Sequence, residues 1–221
     1  MKKIIVGLVM AGIMLFSTLT PLQMAEASET VETNSFAKLD LSKPFVPLSD
    51  NEVSEIVNSD LESYSIELTY EQAIARTSQI TGKPIEQLIK ENPQPNAMAR
   101  AASCSWVETK TPIMVKSHKA YLLVMPKACR DGSFGWINKT EKPLLQEFQA
   151  DKYKFDGTVA IDLRDAGFMY KINGNFHNAS SVTHAGTVGL SAIFTATYTV
   201  SGSSSLYGSL TTPLTWVQVI N

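Results

Sequence analysis

Residues 187–201 read Thr-Val-Gly-Leu-Ser-Ala-Ile-Phe-Thr-Ala-Thr-Tyr-Thr-Val-Ser. Val188, Leu190, Ala192, Phe194, Ala196, Tyr198 and Val200 fall on alternate positions, and the residues between them are Thr, Ser and Gly apart from Ile193. Successive side chains of a β-strand point to opposite faces, so this alternation predicts one long strand with a buried face and a wetted face. Thr158–Leu163 alternates in the same way, with Val159, Ile161 and Leu163 on one side. Phe168, Tyr170 and Ile172 run into Asn173-Gly174, a pair preferred in type I′ hairpin turns because both residues tolerate positive φ. Met114–Met125, Phe134–Asn138, Leu206–Leu210 and Thr215–Ile220 add further strands, and Gly and Ser residues around 201–205 supply a turn. The expected fold is mainly β (α+β overall), an antiparallel sandwich or small barrel of about seven or eight strands.

Toward the N-terminus the period changes from 2 to 3.6, and three short helices are expected. Ser49 with Glu52 makes a capping box ahead of Val53, Ile56, Val57 and Leu61. Thr69 with Gln72 makes a second, and Tyr70, Ala73, Ile74, Thr77 and Ile80 then form a stripe that ends at Gly82. Pro84 opens a third helix carrying Ile85, Leu88 and Ile89, and Asn92-Pro93 stops it. Stripes this narrow bury little alone, so the helices are expected to need the C-terminal part as a packing partner. Fourteen of the eighteen aromatic residues after Ala27, and all three Trp, lie beyond residue 103, where the main core is expected.

The first residues predict export. Lys2 and Lys3 precede an uncharged, mostly apolar run from Ile4 to Thr20, Pro21 breaks it, and Ala25-Glu26-Ala27 offers a small-x-small cleavage site before Ser28. The alternative is an uncleaved anchor, since roughly 17 residues approaches the length of a spanning helix. The expected parts are a signal peptide (1–27), a flexible lead (28–48), a helical segment that is a candidate pro-region (49–92), a linker (93–103) and a β domain (104–221). The two cysteines, Cys104 and Cys129, are expected to pair as a disulfide in an exported chain. The basic n-region and compact leader fit secretion from a Gram-positive bacterium.

Residues 28–103 hold twelve acidic and six basic side chains, and residues 104–221 hold eight acidic and eleven basic ones. The two parts are expected to attract each other. A surplus of +3 in the second part is too small and too scattered for nucleic acid. Tyr64-Ser-Ile-Glu-Leu-Thr-Tyr-Glu-Gln-Ala-Ile-Ala, followed by Gly82-Lys-Pro-Ile-Glu-Gln-Leu-Ile-Lys-Glu-Asn-Pro, resembles in part a LysM peptidoglycan-binding module, which places an extended strand before two helices. The stretch covers about 30 residues. It lacks the family's Gly-Asp-Thr turn, and no closing strand is visible after Asn92.

No spacing points to chemistry. Ser180, Ser181 and His184 cluster without a G-x-S-x-G elbow. Asp162 and Asp165 flank Arg164 where a strand meets a turn. His118, His177 and His184 share no metal-ligand spacing, so no metal or other cofactor is expected. Asn138-Lys-Thr and Asn178-Ala-Ser match glycosylation triplets. The expectation is a non-enzymatic exported protein that binds a wall polymer, a surface or another protein, with its acidic helical segment a candidate for removal on maturation. A secreted antimicrobial or pore-forming protein, the case in which membrane contact is expected, is the first alternative. An enzyme whose site is gathered from distant loops is the second.

Overall fold

The computed structural model describes residues 38–94, 103–150, 152–178, 181–190, 192–201 and 205–221. The expected leader with Ala25, Ala27 and Ser28, and linker residues 95–102, lie outside the described residues. In chain order the elements are α1 (Asp50–Asn58), β1 (Tyr64–Leu68), α2 (Tyr70–Thr81), α3 (Ile85–Glu91), β2 (Ser103–Val115), β3 (His118–Met125), β4 (Lys127–Asp131) and β5 (Phe134–Ile137). They continue with β6 (Leu145–Gln149), β7 (Lys154–Arg164), β8 (Gly167–Asn178), β9 (Ser181–Leu190), β10 (Ile193–Ser201), β11 (Ser205–Thr211) and β12 (Thr215–Gln218).

The helices form where their caps predict. Ser49 and Glu52, and Thr69 and Gln72, each exchange both capping-box hydrogen bonds, and Gly82 closes α2 at φ 70°. Pro84 caps α3 rather than opening it, one residue from expectation. Leu61 falls beyond the end of α1 and is exposed.

The strands form two antiparallel six-stranded sheets, as a β-sandwich requires. The strand count exceeds the expected seven or eight for identifiable reasons. The β2–β3 and β2–β4 pairings share one register, from Val115↔His118 to Ser103↔Arg130, so β3 and β4 are one arm interrupted at Pro126. On the same principle β11 and β12 run along one side of β8, divided around Pro213. Proline cannot donate to a ladder, and it divides each arm in two.

Three expected elements are corrected. The run 187–201 is a hairpin: β9 ends at Leu190 and β10 begins at Ile193. Only its second half has the expected buried face, through Phe194, Ala196 and Tyr198, whereas Val188 is 79% exposed. The run 114–125 is also a hairpin, turning at Lys116-Ser117 with Lys116 at φ 54°. Asn173-Gly174 is no turn at all. It lies inside β8, where Gly174 pairs with Gly157 and leaves room for the Phe155 ring. The turn between β7 and β8 falls at Asp165-Ala166.

Two cores result. Between the sheets lie Val107, Leu122, Val124, Phe148, Phe155, Val159, Ile161, Phe168, Phe176 and Tyr198. On the other face of the first sheet, Val53, Ile66, Leu68, Ala73, Ile74 and Leu88 pack against Trp106, Leu123, Met125 and Leu145. Alternation along β3 explains the division: Leu122 and Val124 face inward, while Leu123 and Met125 face the helices. The expected packing partner of the helices is therefore this sheet, and β1 is itself one of its strands, pairing Tyr64–Leu68 with Lys110–Trp106. Part of the expected flexible lead is also held. Leu39 bridges to Ile220, and the buried Leu41 enters the inter-sheet core beside Gly135.

Candidate functional site

The helical layer is tied to the sheet by charge as well as by apolar contact. Glu108, with no solvent exposure, accepts from the Tyr64 hydroxyl at 2.6 Å and from Arg76 Nε at 3.1 Å. Burial first, and the Glu108 carboxylate second, push the Tyr64 phenol well up. On the sheet's opposite face Arg130 donates to Glu67 at 2.6 Å, and on the helix-bearing face Lys119 pairs with Glu62. The last two pairs have the sign expected from the charge distribution, and Arg76–Glu108 reverses it.

Where the helices, β2, β6 and β10 meet, the protein forms a cleft of about 1120 Å³, lined among others by Tyr70, Trp106, Lys127, Glu141, Glu147 and Tyr198. Lys127 Nζ sits 2.7 Å from Glu141 Oε2 and 5.7 Å from the centre of the Trp106 ring. Glu147 is carried by β6, whose neighbours Gln146 and Phe148 point between the sheets. Gln146 Nε2 donates to the Val159 carbonyl at 2.8 Å, and the Tyr198 hydroxyl donates to the Gln146 carbonyl at 3.1 Å. These bonds fix β6 to the second sheet and turn Glu147 the other way, toward the cleft. Burial pushes its carboxyl up to about 7, against the opposing effect of the Phe148 amide.

Beside the cleft lies an aromatic platform. Register pairs Cys104 with Cys129 and Cys129 with Trp136, so the disulfide and Trp136 occupy one row on the outward face of the first sheet. Phe134, two residues before Trp136, shares that face, and the two rings stack at 5.7 Å with 29° between their planes. Phe134 is 67% exposed. The stacked rings present a flat apolar face, open at Phe134 and half-covered at Trp136. Cys104 also lines the cleft, so platform and cleft adjoin.

The residues singled out by sequence fall as follows. Cys104 and Cys129 form the expected disulfide across β2 and β4. In the chain-entropy model, closing this loop stabilises the fold by roughly 3–4 kcal/mol. Ser181 shares a hydrogen bond with Ser201 at 2.7 Å, while Ser180 lies outside the described residues. Asp162 pairs with Arg164, and Asp165 with Lys139 at 2.8 Å, so the two carboxylates serve separate ion pairs. His118, His177 and His184 sit on β3, β8 and β9. His118 Nδ1 lies 2.6 Å from the Tyr207 hydroxyl, and the Tyr207 ring stacks on Tyr153 at 3.7 Å. Among the described residues no group of three or more His, Cys, Asp or Glu is placed to hold a metal. The Asn138 amide donates to Glu141, and that of Asn178 to Ser205.

Sequence reading missed the platform and the cleft, since Phe134 and Trp136 look like ordinary strand residues until register turns both outward. Among the described residues no helix is long and apolar enough to cross a membrane. Comparison with protein-family models, with curated proteins and with solved structures yields no match.

Proposed function

We infer that this is an exported, non-enzymatic binding protein whose ligand is a glycan chain of the cell envelope, held on the Phe134–Trp136 platform and extending into the adjoining cleft. The exposed Phe134 ring, stacked on the half-buried Trp136, carries the reading. One face of a sugar ring is lined by C–H groups and packs on an aromatic face, while its hydroxyls need hydrogen-bonding partners around the rim. Lys127 and Glu141 in the cleft offer a donor and an acceptor of opposite sign. The order β1–α2–α3–β2, with β2 pairing back on β1, also supplies the closing strand that the partial LysM resemblance lacks in sequence. The helical segment is kept in this reading as a working part, because it contributes a strand and one side of a core.

The test is retention on purified wall glycan, with soluble chitin oligomers as competitors. Phe134→Ala combined with Trp136→Ala is expected to weaken binding about tenfold, which corresponds to about 1.4 kcal/mol. Binding equal to that of the unaltered protein would sink the platform. Release of new reducing ends from the glycan would sink the non-enzymatic half of the proposal.

A further inference from the structure

At the end of the sandwich where β9 turns into β10, a second cavity of about 660 Å³ combines two kinds of lining. Lys139, Lys142 and Arg164 contribute cations, and Leu163, Ala192 and Phe194 are apolar. Asp165 holds Lys139 and Asp162 holds Arg164, so two of the three cations are fixed in position. Lys142 is exposed and forms no ion pair among the described residues. Two carboxylates thus hold two of the three cations, and Lys142, within electrostatic reach of the Glu91 carboxylate, is the one left without an ion pair. Glu141, from the same loop as Lys139 and Lys142, is directed to Lys127 instead.

The surroundings of this cavity are apolar and open. Val188 and Ile193 share the outer face of the second sheet and are 79% and 51% exposed. Register places Ile193, Asp162, Met169 and Trp216 in one row, and Trp216 is also exposed. No Asp, Glu, Lys or Arg occurs from Ile172 to Asn221, the run that supplies β9 to β12. The charges at this end therefore come from the neighbouring loop and from β7.

We propose that this end of the protein docks on an anionic lipid bilayer, with a lipid phosphate in the cavity and Val188 and Ile193 entering the headgroup region. A phosphate alone would use the cations and gain nothing from two exposed aliphatic side chains beside them. A lipid uses both: its phosphate meets Lys142 and the fixed Lys139 and Arg164, and its glycerol and first methylenes meet Ala192 and Gly189 at the mouth, with the buried Leu163 and Phe194 behind them. Trp216 takes the interfacial level that its amphipathic ring prefers, and the long cationic side chains reach the headgroups from the rim. Attachment is peripheral, because a bilayer core would leave the backbone edge of β9 without partners.

The test is co-sedimentation of the chain from Ser28 onward, which contains every described element, with vesicles. Mixed phosphatidylcholine–phosphatidylglycerol vesicles are expected to bind at least about tenfold more protein than pure phosphatidylcholine ones. Val188→Asp with Ile193→Asp, both at exposed positions, is expected to abolish sedimentation while leaving the circular dichroism spectrum unchanged. Lys142→Glu, a single change on a surface loop, is expected to remove the preference for the anionic lipid. The proposal is overturned if mixed vesicles do not sediment the protein or if the double variant binds them as well as the unaltered chain does. It is equally overturned if soluble glycerol phosphate polymer binds as tightly as the vesicles and is indifferent to the double change, which would make the cavity a site for a wall polyphosphate.

Discussion

Two buried carboxylates show how neighbours decide what burial does. Glu108 has no exposure, yet Arg76 and Tyr64 satisfy it; deleting one partner of such a pair costs about 3–5 kcal/mol because the other charge stays behind. Glu147 faces the cleft, and there burial dominates, raising its carboxyl from 4.5 to about 7. A carboxyl that is raised on folding contributes stability that is complete below its unfolded value and is lost as pH rises through the folded one. Unfolding free energy is therefore expected to fall between about pH 4.5 and pH 7, by at most ~3 kcal/mol. Glu147→Gln is expected to match the unaltered protein near pH 4.5 and to exceed it near pH 8, flattening the slope. Urea unfolding at several pH values checks this, and an unchanged slope in the variant would place the dependence elsewhere.

Asn173-Gly174 has the composition of a turn and the position of a strand. A Cβ on Gly174 would lie 2.3 Å from the Asp156 carbonyl oxygen and 2.6 Å from the Phe155 ring, so Gly is there for close approach across a strand pair. Gly174→Ala is expected to cost roughly 1–3 kcal/mol through overpacking. Asn173→Ala, at an exposed site with one hydrogen bond from Thr211, is expected to cost about 1 kcal/mol or less. A turn would penalise both, so thermal unfolding of the two variants separates the cases. Helix ends were legible in the sequence because a cap is local: Ser49, Thr69 and Gly82 each act within a few residues. The turns at Lys116-Ser117 and around Ala192 were not legible, since neither carries the Gly or Asn that usually marks a hairpin, and in residues 187–201 the alternation continues through the turn. The strand class of the fold survived these errors because a hairpin keeps the period of its arms. The platform could not be read at all, as it depends on which face of β5 is outward, and register alone decides that.

The whole chain poses the question of whether its helical segment leaves or stays. A detachable segment would rest on the β-sandwich through one surface and leave its ladder intact. Here β1 lies in the first sheet, Glu67 reaches Arg130 and Ser105 from it, and α2 delivers Arg76 to a buried Glu108. Residues 103–221 alone would expose Trp106, Leu123, Met125 and Leu145 and strand Glu108 without its cation. Cutting between residues 95 and 102, at an inserted protease site, is therefore expected to leave the two pieces associated. They should co-elute on gel filtration in native buffer, separate only in denaturant, and keep glycan retention close to that of the uncut chain. The isolated 103–221 piece is expected to be insoluble or to bind hydrophobic dye strongly, as an uncovered sheet face would. Pieces that part in native buffer, with a soluble and cooperatively folded C-terminal product, would instead make the helical layer a shield that is lost on maturation. The cleft would then be only half a site, and the platform beside the disulfide would have to bind its ligand unaided.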